Sequence, residues 1–233
     1  MLAECCGIGQ CFADMKVSVF SDVVCPWCYL GVTRFERAAA IHTIITGEPV
    51  EISLRAYQLD PEAPAMAVPI REFYETKFGS REEAESVIAR VESAGKITGI
   101  DFNFAEAVRG NTFDAHRLLT WAETTGAGVQ RDLARELWRA YFLEGADISD
   151  HDTLAARAGI VGLDIDEADV ILAGDDFGAE VRTQIETARE MDVEAVPMFV
   201  VDGIYAIHGA QSQDDYVQAL AKIAAEIRGS ATE

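Results

Sequence analysis

The sequence predicts an α/β fold in which a β-α-β unit near the amino end and a β-β-α unit at the carboxyl end flank a large helical insertion. Three observations carry that expectation. Two alternating apolar segments enclose one long helical stripe before residue 60, the middle of the chain has helical periodicity with recognisable starts, and strand character returns only near residue 197.

Lys16 to Asp22 alternates around Val17 and Val19 and suits a first strand. From Trp27 to about Thr46, the residues Leu30, Phe35, Ala38, Ala39, Ile41, Ile44 and Ile45 form one helical stripe, which Gly47 and Pro49 end. Glu51 to Gln58 alternates again, which makes a β-α-β crossover of right-handed sense. Leu59 to Pro69 reads as a linker, because Pro61, Pro64 and Pro69 forbid a helix interior.

Helical stretches follow. Ser80 with Glu83 forms a capping box before a helix to about Ser93, and Asn111 opens another over Thr112 to Glu123. Leu133 to Leu143, Thr153 to Ala158, Glu167 to Ala173 and Ala179 to Met191 complete a middle with no β-rich run. Pro197 to Val201 and Ile204 to Ile207 are short strands joined by Asp202-Gly203, a strong hairpin signal. Ser212 with Asp215 starts a last helix through Tyr216, Leu220, Ile223 and Ile227. The expected organisation is an extension over 1–14, one domain from 15–60 and 176–233, and an inserted helical domain over 61–175.

A chain of 233 residues, 49% hydrophobic, is long enough to bury a stable core without cross-links. Its formal charge of -21 repels phosphate backbones and anionic headgroups, so nucleic acid and membrane partners are disfavoured. No window approaches 18 uninterrupted apolar residues, and the first fourteen lack the pattern of a secretory signal. A cytoplasmic location is the expectation, where ordinary thiols stay reduced and a close cysteine pair points to catalysis or metal binding.

That pair is Cys25-Pro26-Trp27-Cys28, placed where a strand runs into a helix. At i and i+3 the two sulfurs share one face of the first turn and can close a disulfide. The helix amino terminus stabilises a thiolate and lowers its pKa from about 8.5 toward 7 or below. Cys25 is expected to attack and Cys28, one turn in, to resolve the mixed disulfide, a division that follows from exposure. Pro26 suits the first helical position, where its missing N–H costs nothing. Trp27 brings no charge, so a milder oxidant is expected than a histidine-containing motif would give. Zinc needs four ligands, and beyond this pair the chain offers Cys5, Cys6, Cys11 and four scattered histidines. Dithiol redox chemistry with no metal is therefore the reading.

The run Ser21-Asp22-Val23-Val24-Cys25-Pro26-Trp27-Cys28-Tyr29-Leu30-Gly31 resembles the active-site stretch of the DsbA-like family, specifically its FrnE branch. Ala195-Val196-Pro197-Met198-Phe199 resembles that family's cis-proline loop, and His208-Gly209-Ala210-Gln211 its continuation into the last helix. The resemblance spans about Val17 to Ile227 and implies a thioredoxin-like fold with a large inserted helical domain. It implies a thiol-disulfide oxidoreductase or isomerase acting on protein or peptide thiols and disulfides, with Cys25 and Cys28 catalytic. Pro26, Trp27, Val196 and Pro197 would contact substrate, and Val196 would pair with an extended substrate segment. No cofactor is implied, although glutathione is a candidate reductant. The related kappa-class glutathione transferases and hydroxychromene carboxylate isomerases typically carry Ser at the first cysteine position. Cys25 departs from that pattern, and a glutathione-dependent small-molecule isomerase or transferase stands as the alternative.

Other residues carry weaker signals. Cys5, Cys6 and Cys11 either form a second redox centre or belong to an upstream extension, Met15 being a sufficient start; the extension is the expectation. His116 either lines the cleft or sits on a helix surface, while His42, His151 and His208 are expected to be solvated or in loops. Asp22 and Tyr29 either tune the dithiol or are a solvated carboxylate and a packed ring.

Overall fold

The computed structural model describes residues 14–65 and 67–230, so Cys5, Cys6 and Cys11 lie outside the described residues. Four strands form the main sheet: β1 (Met15–Ser21), β2 (Val50–Ala56), β5 (Met198–Val201) and β6 (Tyr205–His208), in the order β2-β1-β5-β6. β1 runs parallel to β2, with Met15 opposite Val50 and Ser21 opposite Ala56, and antiparallel to β5. The parallel pair requires the crossover helix the sequence predicts, α1 (Pro26–Thr46). The β5–β6 pair is a hairpin closed by Asp202 (φ 50°) and Gly203 (φ 71°). Both turn residues take positive φ, the primed geometry whose twist matches the flanking strands.

α1 and the last helix, α9 (Gln213–Ser230), share one face of this sheet. Phe35 of α1 stacks on Phe199 of β5 at 4.5 Å, and the ring of Tyr216 from α9 meets both edge-on at 5.2 and 5.1 Å. All three are fully buried, so this aromatic trio joins the two ends of the chain.

Between the halves lie β3 (Val68–Pro69), α2 (Ile70–Phe78), α3 (Arg81–Thr98), β4 (Val108–Arg109), α4 (Phe113–Thr125), α5 (Val129–Glu144), α6 (His151–Ile160), α7 (Ile165–Ala173) and α8 (Gly178–Glu190). Several begin on the caps read from sequence. Ser80 accepts the Glu83 N–H at 3.2 Å, and Ser212 the Asp215 N–H at 3.1 Å. Asn111 bonds the Phe113 N–H at 2.9 Å, one residue before the Thr112 cap. Buried Arg117 fastens α4 to the turn between α7 and α8, donating to the carbonyls of Ile171, Gly174 and Asp176.

Two features depart from expectation. The insertion is not purely helical, since β3 pairs antiparallel with β4 in a two-residue ladder that anchors the ends of the α2–α3 excursion. α2 begins immediately after the proline-rich linker, where Pro69 supplies an extended residue ahead of the helix. The free edge of β2 is covered rather than exposed. The Gln130 side chain of α5 accepts from the Leu54 N–H at 2.8 Å and donates to its carbonyl at 3.1 Å, while Gln184 of α8 accepts from the Ala56 N–H at 2.8 Å. Glutamine amides thus stand in for a missing strand and satisfy an edge that would otherwise template pairing.

Candidate active site

β1 ends at Ser21 and the chain turns through Asp22 to Cys25, whose N–H bonds the Asp22 carbonyl at 3.1 Å. Cys25 is the extended cap residue of α1 (φ -93°, ψ 111°), and Pro26 starts the helix. The Cys25 carbonyl accepts the Cys28 N–H at 3.0 Å, which fixes the second sulfur one turn in. Both cysteines are free thiols.

Exposure divides them less than the sequence suggested. Cys25 is 4% exposed and Cys28 0%. The difference lies in what each faces, because Cys25 lines a cavity of about 250 Å³ and Cys28 does not. Burial, with the hydrogen bond and charge of the Cys25 sulfur added, raises the Cys28 pKa well above that of an ordinary thiol; only the Asp22 backbone opposes the shift. Cys28 is therefore held as a protonated thiol beneath Cys25.

Opposite the dithiol, the Val196–Pro197 peptide is cis, as the resemblance implies. The Cys25 thiol donates to the Val196 carbonyl at 3.7 Å. A substrate segment pairing with Val196 through that oxygen would have to displace this bond. Pro26, Trp27 and Val196 line the cavity with Cys25, but Pro197 does not. Its ring packs instead against Gly31, where an added Cβ would lie 2.8 Å from the proline Cγ. Gly31 is thus demanded by close approach of the proline loop to α1.

Asp22 is not a solvated carboxylate; it is completely buried and connects four segments. Its Oδ2 accepts the Leu59 N–H at 2.8 Å, its Oδ1 lies 3.3 Å from His116 Nε2, and its carbonyl accepts from Trp138 Nε1 at 3.4 Å. The same His116 nitrogen is 3.1 Å from the Tyr57 carbonyl. A carbonyl only accepts, so Nε2 carries the hydrogen. His116 is therefore neither on a helix surface nor on the cavity wall: it is buried, bonded to Asp22 and Tyr57. Tyr29 is a packed ring, stacked on Trp138 at 5.4 Å, and burial raises its hydroxyl pKa.

The other histidines divide. His151 and His208 are exposed, the former 2.8 Å from Asp114. His42, expected to be solvated, is 3% exposed on the inner face of α1, 3.3 Å from Glu48 but out of line for a hydrogen bond. The stripe that buries Phe35, Ala38 and Ala39 carries position 42 inward, one turn on.

Sequence reasoning missed the wall facing Cys25, which α2 and α3 provide. Phe73, Tyr74 and Phe78 come from α2, and Ile88 and Val91 from α3. The signal was present: Ile70, Phe73, Tyr74 and Phe78 fall at helical spacing immediately after the prolines. Burial, with the neighbouring Cys25 charge, raises the Tyr74 hydroxyl pKa, so this wall residue stays protonated. Arg109 lies with its guanidinium 4.4 Å over the Phe73 ring, and its Nε donates to Asp60 at 2.7 Å.

A β2-β1-β5-β6 sheet with α1 and α9 on one face is the thioredoxin-like arrangement, and a dithiol at the start of its first helix marks the oxidoreductases built on it. Within that class, residues 16–221 match the family model described as DSBA-like thioredoxin domain, and the chain belongs to that family. The uncharacterized protein YwbO of Bacillus subtilis (strain 168) is 25% identical over 208 residues, which cover 88% of this chain and 96% of YwbO. The crystal structure of the probable DsbA oxidoreductase SCO1869 from Streptomyces coelicolor superposes with a TM-score of 0.82 at 32% identity, covering 89% of each chain. The cytosolic disulfide reductase DsbM from Pseudomonas aeruginosa shares the fold, with a TM-score of 0.63 at 18% identity over 89% of this chain and 98% of DsbM. No helix among the described residues is long and apolar enough to cross a membrane.

Proposed function

We propose that this protein is a cytoplasmic thiol-disulfide oxidoreductase or isomerase acting on protein and peptide disulfides through Cys25 and Cys28. The observation that carries the reading is the asymmetry of the dithiol: one sulfur opens on a cavity while the other lies fully buried beneath it. Cys25 attacks a substrate disulfide, forming a mixed disulfide and releasing one substrate thiol. Cys28 then attacks the Cys25 sulfur, closing the Cys25–Cys28 disulfide and releasing the second thiol. Cys28 must lose its proton for that step, and its environment opposes early loss. The mixed disulfide accordingly forms before the resolving thiolate does. Glutathione is a suitable reductant for the closed disulfide.

Insulin-disulfide reduction tests the reading. Cys25→Ser is expected to abolish it, and rates equal to the wild type would end the proposal. The cavity beside Cys25 also suits a glutathione-dependent small-molecule isomerase or transferase; isomerase turnover that survives Cys28→Ala would favour that second reading.

A further inference from the structure

The cavity above Cys25 is tighter than a groove for an extended protein segment. An engineered cavity of about 150 Å³ holds benzene, with six carbon atoms. On that scale the 250 Å³ here corresponds to about ten non-hydrogen atoms. The walls are mainly apolar and carry six aromatic rings: Trp27 from α1, Phe73, Tyr74 and Phe78 from α2, then Phe104 and Tyr141. The charged wall residues are Lys77 and Arg109 against Asp60 and Glu194, two of each sign, and Arg109 already bonds Asp60. The cavity is thus formally neutral inside a chain of formal charge -21, whose field disfavours anions. Apolar shape, rather than charge, selects what enters.

We propose that this cavity takes one aromatic half, a ring carried beside the attacked sulfur, of uncharged low-molecular-weight disulfides, a substrate class beyond protein disulfides. The proposal rests on Cys25 being the exchanging sulfur. Cys25 attacks one sulfur of R–S–S–R; that bond breaks, Cys25–S–S–R forms, and the departing thiolate takes up the proton Cys25 released. Cys28 then attacks Cys25, its proton passing to the second departing thiolate. Two electrons and two protons have moved from the dithiol to two molecules of R–SH, leaving the Cys25–Cys28 disulfide. A single turnover of the reduced protein needs no other reductant.

The test compares dibenzyl disulfide, bis(2-hydroxyethyl) disulfide and insulin as single-turnover oxidants of the reduced full chain, each rate divided by that of dithiothreitol with the same disulfide. Normalised in this way, dibenzyl disulfide is expected to react at least tenfold faster than the hydroxyethyl compound. Ile88→Trp, which narrows the cavity from α3, is expected to reduce that preference at least fivefold, and Phe73→Leu provides a second variant should the first fail to fold. A preference near unity, or insulin outpacing dibenzyl disulfide, overturns the proposal while leaving exchange through Cys25 intact. Loss of exchange with all three disulfides would instead overturn the parent reading. Benzyl methyl sulfide, which cannot exchange, separates the cases. Slowed iodoacetamide alkylation of Cys25 in its presence supports the site independently of redox activity, and unchanged alkylation counts against it.

Discussion

Raising the pH on the reduced protein asks directly whether Cys28 is held as a thiol. The folded chain buries this group completely and raises its pKa, while the unfolded chain ionises it near the ordinary value of about 8.5. A group whose folded pKa lies above its unfolded one contributes stability that is fully present below the unfolded pKa and lost as pH rises. The window therefore opens near pH 8.5. With Cys28 protonated throughout in the folded state, linkage from about pH 8 to about pH 9.5 removes about 1.3 kcal/mol of unfolding free energy. The buried hydroxyls of Tyr74, Tyr141 and Tyr216 are also raised, but their loss starts from an ordinary value of about 10. The assay is urea unfolding of reduced wild type and Cys28→Ala at both pH values. The tyrosines are common to both proteins, so the difference between their pH dependences reports Cys28 together with its coupling to Cys25. The wild type should lose about 1.3 kcal/mol more than the variant over this interval. Identical pH dependence in the two proteins would refute the assignment of Cys28 as a buried, protonated thiol.

Two further substitutions test how the site is supported. In Gly31→Ala the added methyl meets the Pro197 Cγ at 2.8 Å and the Tyr216 hydroxyl at 3.3 Å; overpacking of about 1–3 kcal/mol should outweigh a helix-propensity gain of about 1 kcal/mol. A lower melting temperature with altered Cys25 alkylation is expected, and a more stable variant would contradict the packing described. Gln130→Leu strands the Leu54 N–H, at about 1–3 kcal/mol, while the Leu54 carbonyl keeps the Arg55 Nη1 donor at 3.2 Å; urea unfolding should show a loss of about 2 kcal/mol and light scattering more self-association. Unchanged values in both would mean that the β2 edge does not depend on the glutamine.

The β-α-β and β-β-α halves were legible because their signals are local. Alternation around Val17 and Val19, the Gly47 stop and the Asp202-Gly203 turn each declare an element from adjacent residues. The dithiol was legible for the same reason, its spacing and its Pro26 both belonging to one helix start. Burial by distant partners was not. Nothing near Asp22 in sequence announces that Leu59, His116 and Trp138 will enclose it. Helix α2 lies between these cases. Its apolar spacing is visible, but the preceding prolines hid the start, and its role depends on the β3–β4 ladder between residues 39 or more positions apart.

The bond from Cys25 to Val196 spans 171 positions of chain. At about 5–20 residues per second on the ribosome, the cysteines emerge roughly 10–35 seconds before the residue that will shield them. Through that interval β5 is also missing, so β1 lacks its antiparallel neighbour. A nascent chain thus presents two vicinal thiols without their protein surroundings, and a reducing setting during synthesis keeps them available for the finished fold.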